Sequence, residues 1–320
     1  MRPSLRAVLL RGASTGLDLN FAGGVFSLNN TRTDSLAAIP GWSFSRTDTN
    51  GTATALDLAG NVIQFATGVP RITNRGILVE EARTNLLLNS ASLGTTWTQT
   101  NVTIGSNVAI APDGTLTADS LIENAAAAVA HRISQAVTTT ATATTTSVFL
   151  KAGSRSWAYV RMSNSVPANC FAWVNLATGA LGTVSGTGAT ASVQALANGW
   201  YRVALTVATA VAGTNTIVIA GSTGDNVQDY DGTNGLTSIF AWGAQLEAGA
   251  FATSPIITTG AAGTRGADAA SIVLLSNVSS FAATYNSGTT ATGAVTPGAT
   301  FDLVTARAWL NGYLQRFRVT

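Results

Sequence analysis

Two short stretches, Trp157-Ala-Tyr-Val-Arg-Met162 and Phe171-Ala-Trp-Val-Asn-Leu176, decide the fold. Each alternates with a period of two, the spacing at which successive side chains of an extended strand point to opposite faces. In the first, Trp157, Tyr159 and Arg161 share one face, and Ala158, Val160 and Met162 share the other. In the second, Phe171, Trp173 and Asn175 fall together. Similar runs lie on both sides: Ser147-Val-Phe-Leu-Lys151, Trp200-Tyr-Arg-Val-Ala-Leu-Thr-Val207, Thr216-Ile-Val-Ile-Ala220 and Ser238-Ile-Phe-Ala-Trp-Gly243. Clusters of Gly, Asn, Asp, Thr and Pro separate them, the punctuation of an all-β sandwich or barrel. Helical periodicity is nearly absent. The Ala-rich stretch Asn124 to Ala130 lacks an apolar stripe and is expected to form one turn at most.

Three consecutive zones follow. Residues 1–76 hold short strands such as Leu17-Asp-Leu-Asn-Phe21 and Gly41-Trp-Ser-Phe-Ser-Arg46, with an Asn50-Gly51 turn signal, and are expected to dock the protein onto something larger. Residues 77–268 carry the dense strand pattern. Residues 269–320 end in Arg307-Ala-Trp-Leu-Asn-Gly-Tyr-Leu-Gln-Arg-Phe-Arg-Val319, whose Asn311-Gly312 predicts a closing hairpin. The Thr/Ala tract Thr138 to Thr146 is expected to form a strand pair, because Thr favours strands and the tract runs into Val148-Phe-Leu150.

Composition narrows the function. Only 10% of the 320 residues are charged, against about 25% in ordinary globular domains. So weakly charged a surface protects poorly against association, and the chain is expected to assemble, as a homo-oligomer or with other subunits. The net charge is +2, and Arg2, Arg6 and Arg11 are the one local basic cluster. That is too sparse for a nucleic-acid groove, and these arginines read as a docking arm. Ala7 to Leu10 is too short for a secretory core, and no run of about 18 apolar residues predicts a membrane helix. A single cysteine, Cys170, excludes an internal disulfide and reads as a core residue. The single histidine, His131, leaves no Ser-His-Asp or Cys-His scheme unless it is itself the base, and its neighbours suggest a structural strand residue.

Five motifs stand in an order that resembles a domain of bacteriophage tail-fibre and head-spike proteins. Gly76-Ile-Leu-Val-Glu-Glu-Ala-Arg-Thr-Asn-Leu-Leu-Leu-Asn-Ser90 is similar to its linker and first strand, with Trp97 following. Ala111-Pro-Asp-Gly-Thr-Leu-Thr-Ala-Asp119, Phe149-Leu-Lys-Ala-Gly153, Asn198-Gly-Trp-Tyr-Arg-Val203 and Ala241-Trp-Gly-Ala-Gln-Leu-Glu-Ala-Gly249 come next. Phe251-Ala-Thr-Ser-Pro-Ile-Ile-Thr-Thr-Gly260 and Thr264-Arg-Gly-Ala-Asp268 resemble its exit peptide, so the likeness spans most of residues 17–268. Such domains resemble the jelly-roll carbohydrate-binding modules of glycoside hydrolases. The resemblance implies a jelly-roll β-sandwich with an N-terminal β docking segment and a short C-terminal β extension. It also implies a non-enzymatic protein on the virion surface, partnered by capsid or tail proteins and by host polysaccharide. A purely architectural subunit is the alternative, and a polysaccharide depolymerase a third. Related modules place acidic residues for a structural Ca²⁺ where this chain has Ser92 or Leu93 and Ala241-Trp-Gly-Ala244, which speaks against calcium there.

Sugar binding needs a flat aromatic face with planar polar groups beside it. Trp157, Tyr159, Arg161, Trp173 and Asn175 supply those types and are the candidate glycan-binding residues. The competing expectation, an inter-sheet core, is favoured, because strand aromatics usually pack inside. Tyr201, Val203, Leu205 and Val207 read as a buried face, with Trp200 and Arg202 stacked on the other. The adjacent pair Glu80-Glu81 points to opposite faces and cannot flank one glycosidic bond; Asp119 with Glu123 and Asp229 with Glu247 remain as separated carboxylates without a motif. Glu81 is expected to pair with Arg83. Asp225, Asp229 and Asp231 form the densest oxygen cluster; their spacing fits no EF-hand, so an acidic turn is expected ahead of a Ca²⁺ site, and no cofactor is expected.

Overall fold

The structure, a computed structural model, describes residues 16–49, 52–163, 169–210, 212–303 and 312–320. The Arg2, Arg6 and Arg11 arm, the Asn50-Gly51 turn and most of the closing hairpin through Asn311 lie outside the described residues. The described chain is strand throughout, apart from loops and two single 3₁₀ turns at Leu36–Ala38 and Ala197–Gly199. Asn124 to Ala130 forms no helix.

The chain divides into two compact units that do not follow the three sequence zones. Residues 1–45, 72–79 and 268–320 make the first, and residues 46–71 and 80–267 the second. Within the first unit the two ends of the chain share one sheet: Leu17–Asn20 pairs antiparallel with Leu314–Val319, placing Leu19 opposite Phe317. Leu17, Leu19, Phe26, Ile77, Leu314, Phe317 and Val319 are buried together. The two ends of the chain therefore build one body around a shared core, while residues 46–71 of the first zone join the second unit. Arg316 and Arg318 both reach Asp18 across that sheet.

The second unit is a jelly-roll sandwich of two six-stranded sheets. One sheet runs Thr98–Thr100, Arg132–Thr139, Gly213–Ser222, Trp157–Ser163, Cys170–Asn175, Leu181–Ser185. The other runs Val102–Ile110, Leu116–Glu123, Thr237–Ala248, Thr144–Ala152, Trp200–Val207, Ala189–Ala195. All pairings within the two sheets are antiparallel. The chain passes repeatedly from one sheet to the other, as a double Greek key requires. The Thr138 to Thr146 tract makes one such passage. Thr139 ends a strand of the first sheet and Thr144 begins one of the second, so the expected strand pair is a crossover instead.

Between the sheets lie Leu121, Val148, Leu150, Val203, Leu205, Val207, Ile239 and Leu246 from one side, and Ile133, Ala158, Val160, Met162, Cys170, Ala172, Val174, Ile217 and Ile219 from the other. Cys170 is a core residue, as its alternation predicts. Small residues on the Trp157 and Cys170 strands suit the close meeting of two sheets. A register shift at Gly243, whose φ is +63°, breaks the ladder between Ser147 and Phe149. This bulge keeps Ala244 and Leu246 in the inter-sheet core while Trp242 packs edge-on to Phe149, ring centroids 5.4 Å apart. Arg202 lies over that same Phe149 ring.

The linker motif earns its place mechanically. The side-chain amide of Asn85, fully buried, donates to the carbonyls of Ala244 and Ile256 and accepts from the N–H groups of Leu87 and Leu246. One side chain thereby fastens three segments with nothing left unpaired. Glu81 pairs with Arg83, and Arg83 also donates to the Ala248 carbonyl.

Candidate functional site

The aromatic face predicted from the sequence exists, and it is the outer face of the first sheet. Ala158, Val160 and Met162 fill the inter-sheet core, so Trp157, Tyr159 and Arg161 must look the other way. The favoured expectation of an inter-sheet position is therefore corrected. Tyr159 and Trp173 form a separate outer cluster with Val218 and Ala220, flanked by Trp157 and Phe171. Phe171 and Trp173 stack at 4.7 Å with 13° between their planes, and Tyr159 leans against both at 5.9 and 5.6 Å.

Burial divides the cluster into floor and rim. Tyr159 is 0% and Trp173 3% exposed, whereas Trp157, Phe171, Arg161 and Asn175 are half-buried. A loop roofs one end: the Trp173 indole N–H donates to Val227 O at 3.4 Å, and Ser222 Oγ donates to the carbonyls of Gly224 and Val227. Asp225 holds the loop down by accepting from Thr183 N–H at 2.7 Å and Thr183 Oγ at 2.9 Å. Gly182 is required there. A Cβ on it would stand 2.4 Å from the Asp225 carboxylate and 2.7 Å from the Trp157 ring.

The register brings in a residue the sequence reading missed. Arg132 lies opposite Ala220, and Ala220 lies opposite Tyr159, so the three occupy one row of the outer face. Ala220 is too small to separate its neighbours. Arg161 sits one row away, over the Phe171 ring at 5.6 Å. Burial pushes the Tyr159 hydroxyl up to about 12, with the Asp229 charge adding to the rise while Arg161 and Arg132 oppose it. Burial likewise pulls the Arg161 guanidinium down, and the like charge of Arg132 pulls further. Among the described residues the Tyr159 hydroxyl and the Nε atoms of Arg132 and Arg161 have no hydrogen-bond partner. A buried hydroxyl left unpaired costs about 1–3 kcal/mol, so such a group calls for an explanation.

Other predicted residues serve the scaffold. Asn175 Oδ1 accepts from the N–H groups of Ala177 and Thr178, a turn in which the side chain replaces a backbone acceptor. Asp231 accepts from Ala128 N–H, and Asp229 contacts Gln228. With Asp225 on Thr183, the three aspartates take separate partners, and among the described residues no group of three or more His, Cys, Asp or Glu side chains converges as a metal site would. Asp119 accepts from Leu93 and Asn107 N–H groups, and Glu247 from Thr253.

Two buried ionic networks complete the electrostatics. Glu80 contacts Arg71 at 2.5 Å and Arg265 at 3.2 Å and accepts from Ser254 Oγ at 2.6 Å. Burial alone would raise its pKa, but the two guanidinium charges and these hydrogen bonds win and hold it at about 2. Glu123 takes both Arg155 donors, the Tyr230 hydroxyl at 2.8 Å and Thr233 N–H at 3.0 Å. There too burial is outweighed, by the Arg155 bond first, and the carboxyl stands at about 2. His131 stacks on Tyr230 with ring centroids 4.7 Å apart and stands just before the Arg132–Thr139 strand, not in it as its neighbours suggest. In the first unit, a cavity of about 270 Å³ is lined by Leu17, Leu28, Pro40, Gly41, Val273, Leu274 and Leu275, and no titratable side chain enters it.

Fold and geometry together define an all-β jelly-roll protein with an aromatic and arginine-bearing outer sheet face. Compared with known proteins, the chain matches no family model and no curated protein.

Proposed function

We propose that this protein is a non-enzymatic component of a virion surface, a head spike, decoration or tail fibre, whose jelly roll attaches to host surface glycans. The observation that carries the reading is the outer-face cluster: a floor of Tyr159 and Trp173 with the half-buried Phe171 stacked on Trp173, rimmed by Trp157, Arg161 and Arg132, on the face opposite the inter-sheet core. Stacked rings suit the apolar face of a pyranose and guanidinium groups suit its oxygens. A shallow site of this kind gains strength from repeated display on a particle. The absence of catalysis in this proposal is supported by where the acids go: Glu80, Glu123, Asp119 and Glu247 are each engaged by structural donors.

An architectural subunit without a glycan ligand is the second reading, and one observation favours it. Leu58, Ile63, Val108, Ile110 and Leu116 are exposed, 38–62% each, near the Thr52–Leu56 and Val62–Ala66 hairpin that bonds to Pro112. Exposed apolar groups on a weakly charged chain fit subunit assembly. Cell adsorption of the Phe171→Ala variant separates the two readings. Lost adsorption with unchanged assembly supports attachment; full adsorption supports architecture.

A further inference from the structure

Taking the glycan-binding reading as its basis, we infer that the outer-face site recognises a carboxylate-bearing sugar, with Arg132 and Arg161 flanking the carboxylate and the Tyr159 hydroxyl donating to it. Three observations converge. First, Arg132 shares a row with Tyr159 across the small Ala220, and Arg161, one row along the same face, is subject to the like charge of Arg132. Neither arginine forms an ion pair within 4 Å among the described residues. Secondly, both guanidinium groups favour negative charge at the Tyr159 hydroxyl, against its burial and the Asp229 carboxylate. Thirdly, Tyr159 is fully buried with its hydroxyl unpartnered, and a hydroxyl can donate to an anion. A carboxylate would answer all three: it sets a negative charge beside two guanidinium groups that repel, and it pairs the orphan hydroxyl. The sugar ring attached to it would rest on Phe171, at the exposed edge of the aromatic stack.

A glycan array probed with the full chain, carrying uronate, sialylated, sulfated and neutral glycans, tests this, followed by titration with the best acidic oligosaccharide and its methyl ester. The acid is expected to bind roughly tenfold or more tighter than the ester, the scale of one charge-assisted hydrogen bond in a desolvated site. Arg161→Gln should remove that preference. Should it fail to fold, Tyr159→Phe serves: deleting one unpaired oxygen should leave thermal stability unchanged or raised while weakening acid binding several-fold, which a purely structural tyrosine would not do. Equal affinity for acid and ester, binding confined to sulfated glycans, or unchanged acid binding by Tyr159→Phe overturns the inference and leaves the glycan reading standing. An array blank for every glycan overturns both.

Discussion

Replacing Glu80 by Gln removes the negative charge between two arginines whose side chains are 0% exposed, Arg71 and Arg265. The carboxyl is held at about 2 against an ordinary 4.5. At about 1.4 kcal/mol per unit, that difference is worth about 3 kcal/mol, within the range expected when one partner of a buried ion pair is deleted. The sign follows from the direction. A carboxyl depressed in the folded state contributes its full stabilisation above its unfolded value, and loses it as pH falls from about 5 towards 2. Urea unfolding at fixed ionic strength, followed by tryptophan fluorescence, should place Glu80→Gln about 3 kcal/mol below the parent at pH 7, and the gap should shrink to under about 0.5 kcal/mol by pH 2. Trp97, Trp157, Trp173, Trp200 and Trp242 all lie in the second unit and report on it. A gap that stays constant with pH would refute the electrostatic account, as would no gap at pH 7.

Glu123→Gln should destabilise over the same acid window and roughly as much, because Glu123 is also held at about 2; the Glu80→Gln protein retains this second acid dependence, and the double variant should lose both, measured by the same titration. Gly182→Ala drives a Cβ into Asp225 and the Trp157 ring and should cost about 1–3 kcal/mol, seen as a lowered Tm. Trp173→Ala empties the outer cluster floor and should cost about 3–5 kcal/mol, whereas the half-buried Phe171→Ala should cost less while impairing glycan adsorption more. EDTA should leave Tm unchanged, since Asp225, Asp229 and Asp231 hold separate partners.

The alternation in Trp157-Ala-Tyr-Val-Arg-Met162 determined by itself that Trp157, Tyr159 and Arg161 share a face and that Ala158, Val160 and Met162 share the other. Strand sites, the core role of Cys170 and the Glu81–Arg83 pair were legible for the same reason: each depends on residues a few positions apart. Which face turns inward was not legible. A period of two is symmetric, and only the opposing sheet, through Leu121, Val148 and Val203, claimed the small aliphatic side and left the aromatics outside. Arg132 joined the site because residues 132 and 159 meet through Ala220 on a strand from much later in the chain. In the same way Leu17–Asn20 found Leu314–Val319, and the two ends of the chain entered one unit. Local spacing sets the direction of a side chain; its neighbour is set by strand order, which arises only when distant apolar faces leave water together.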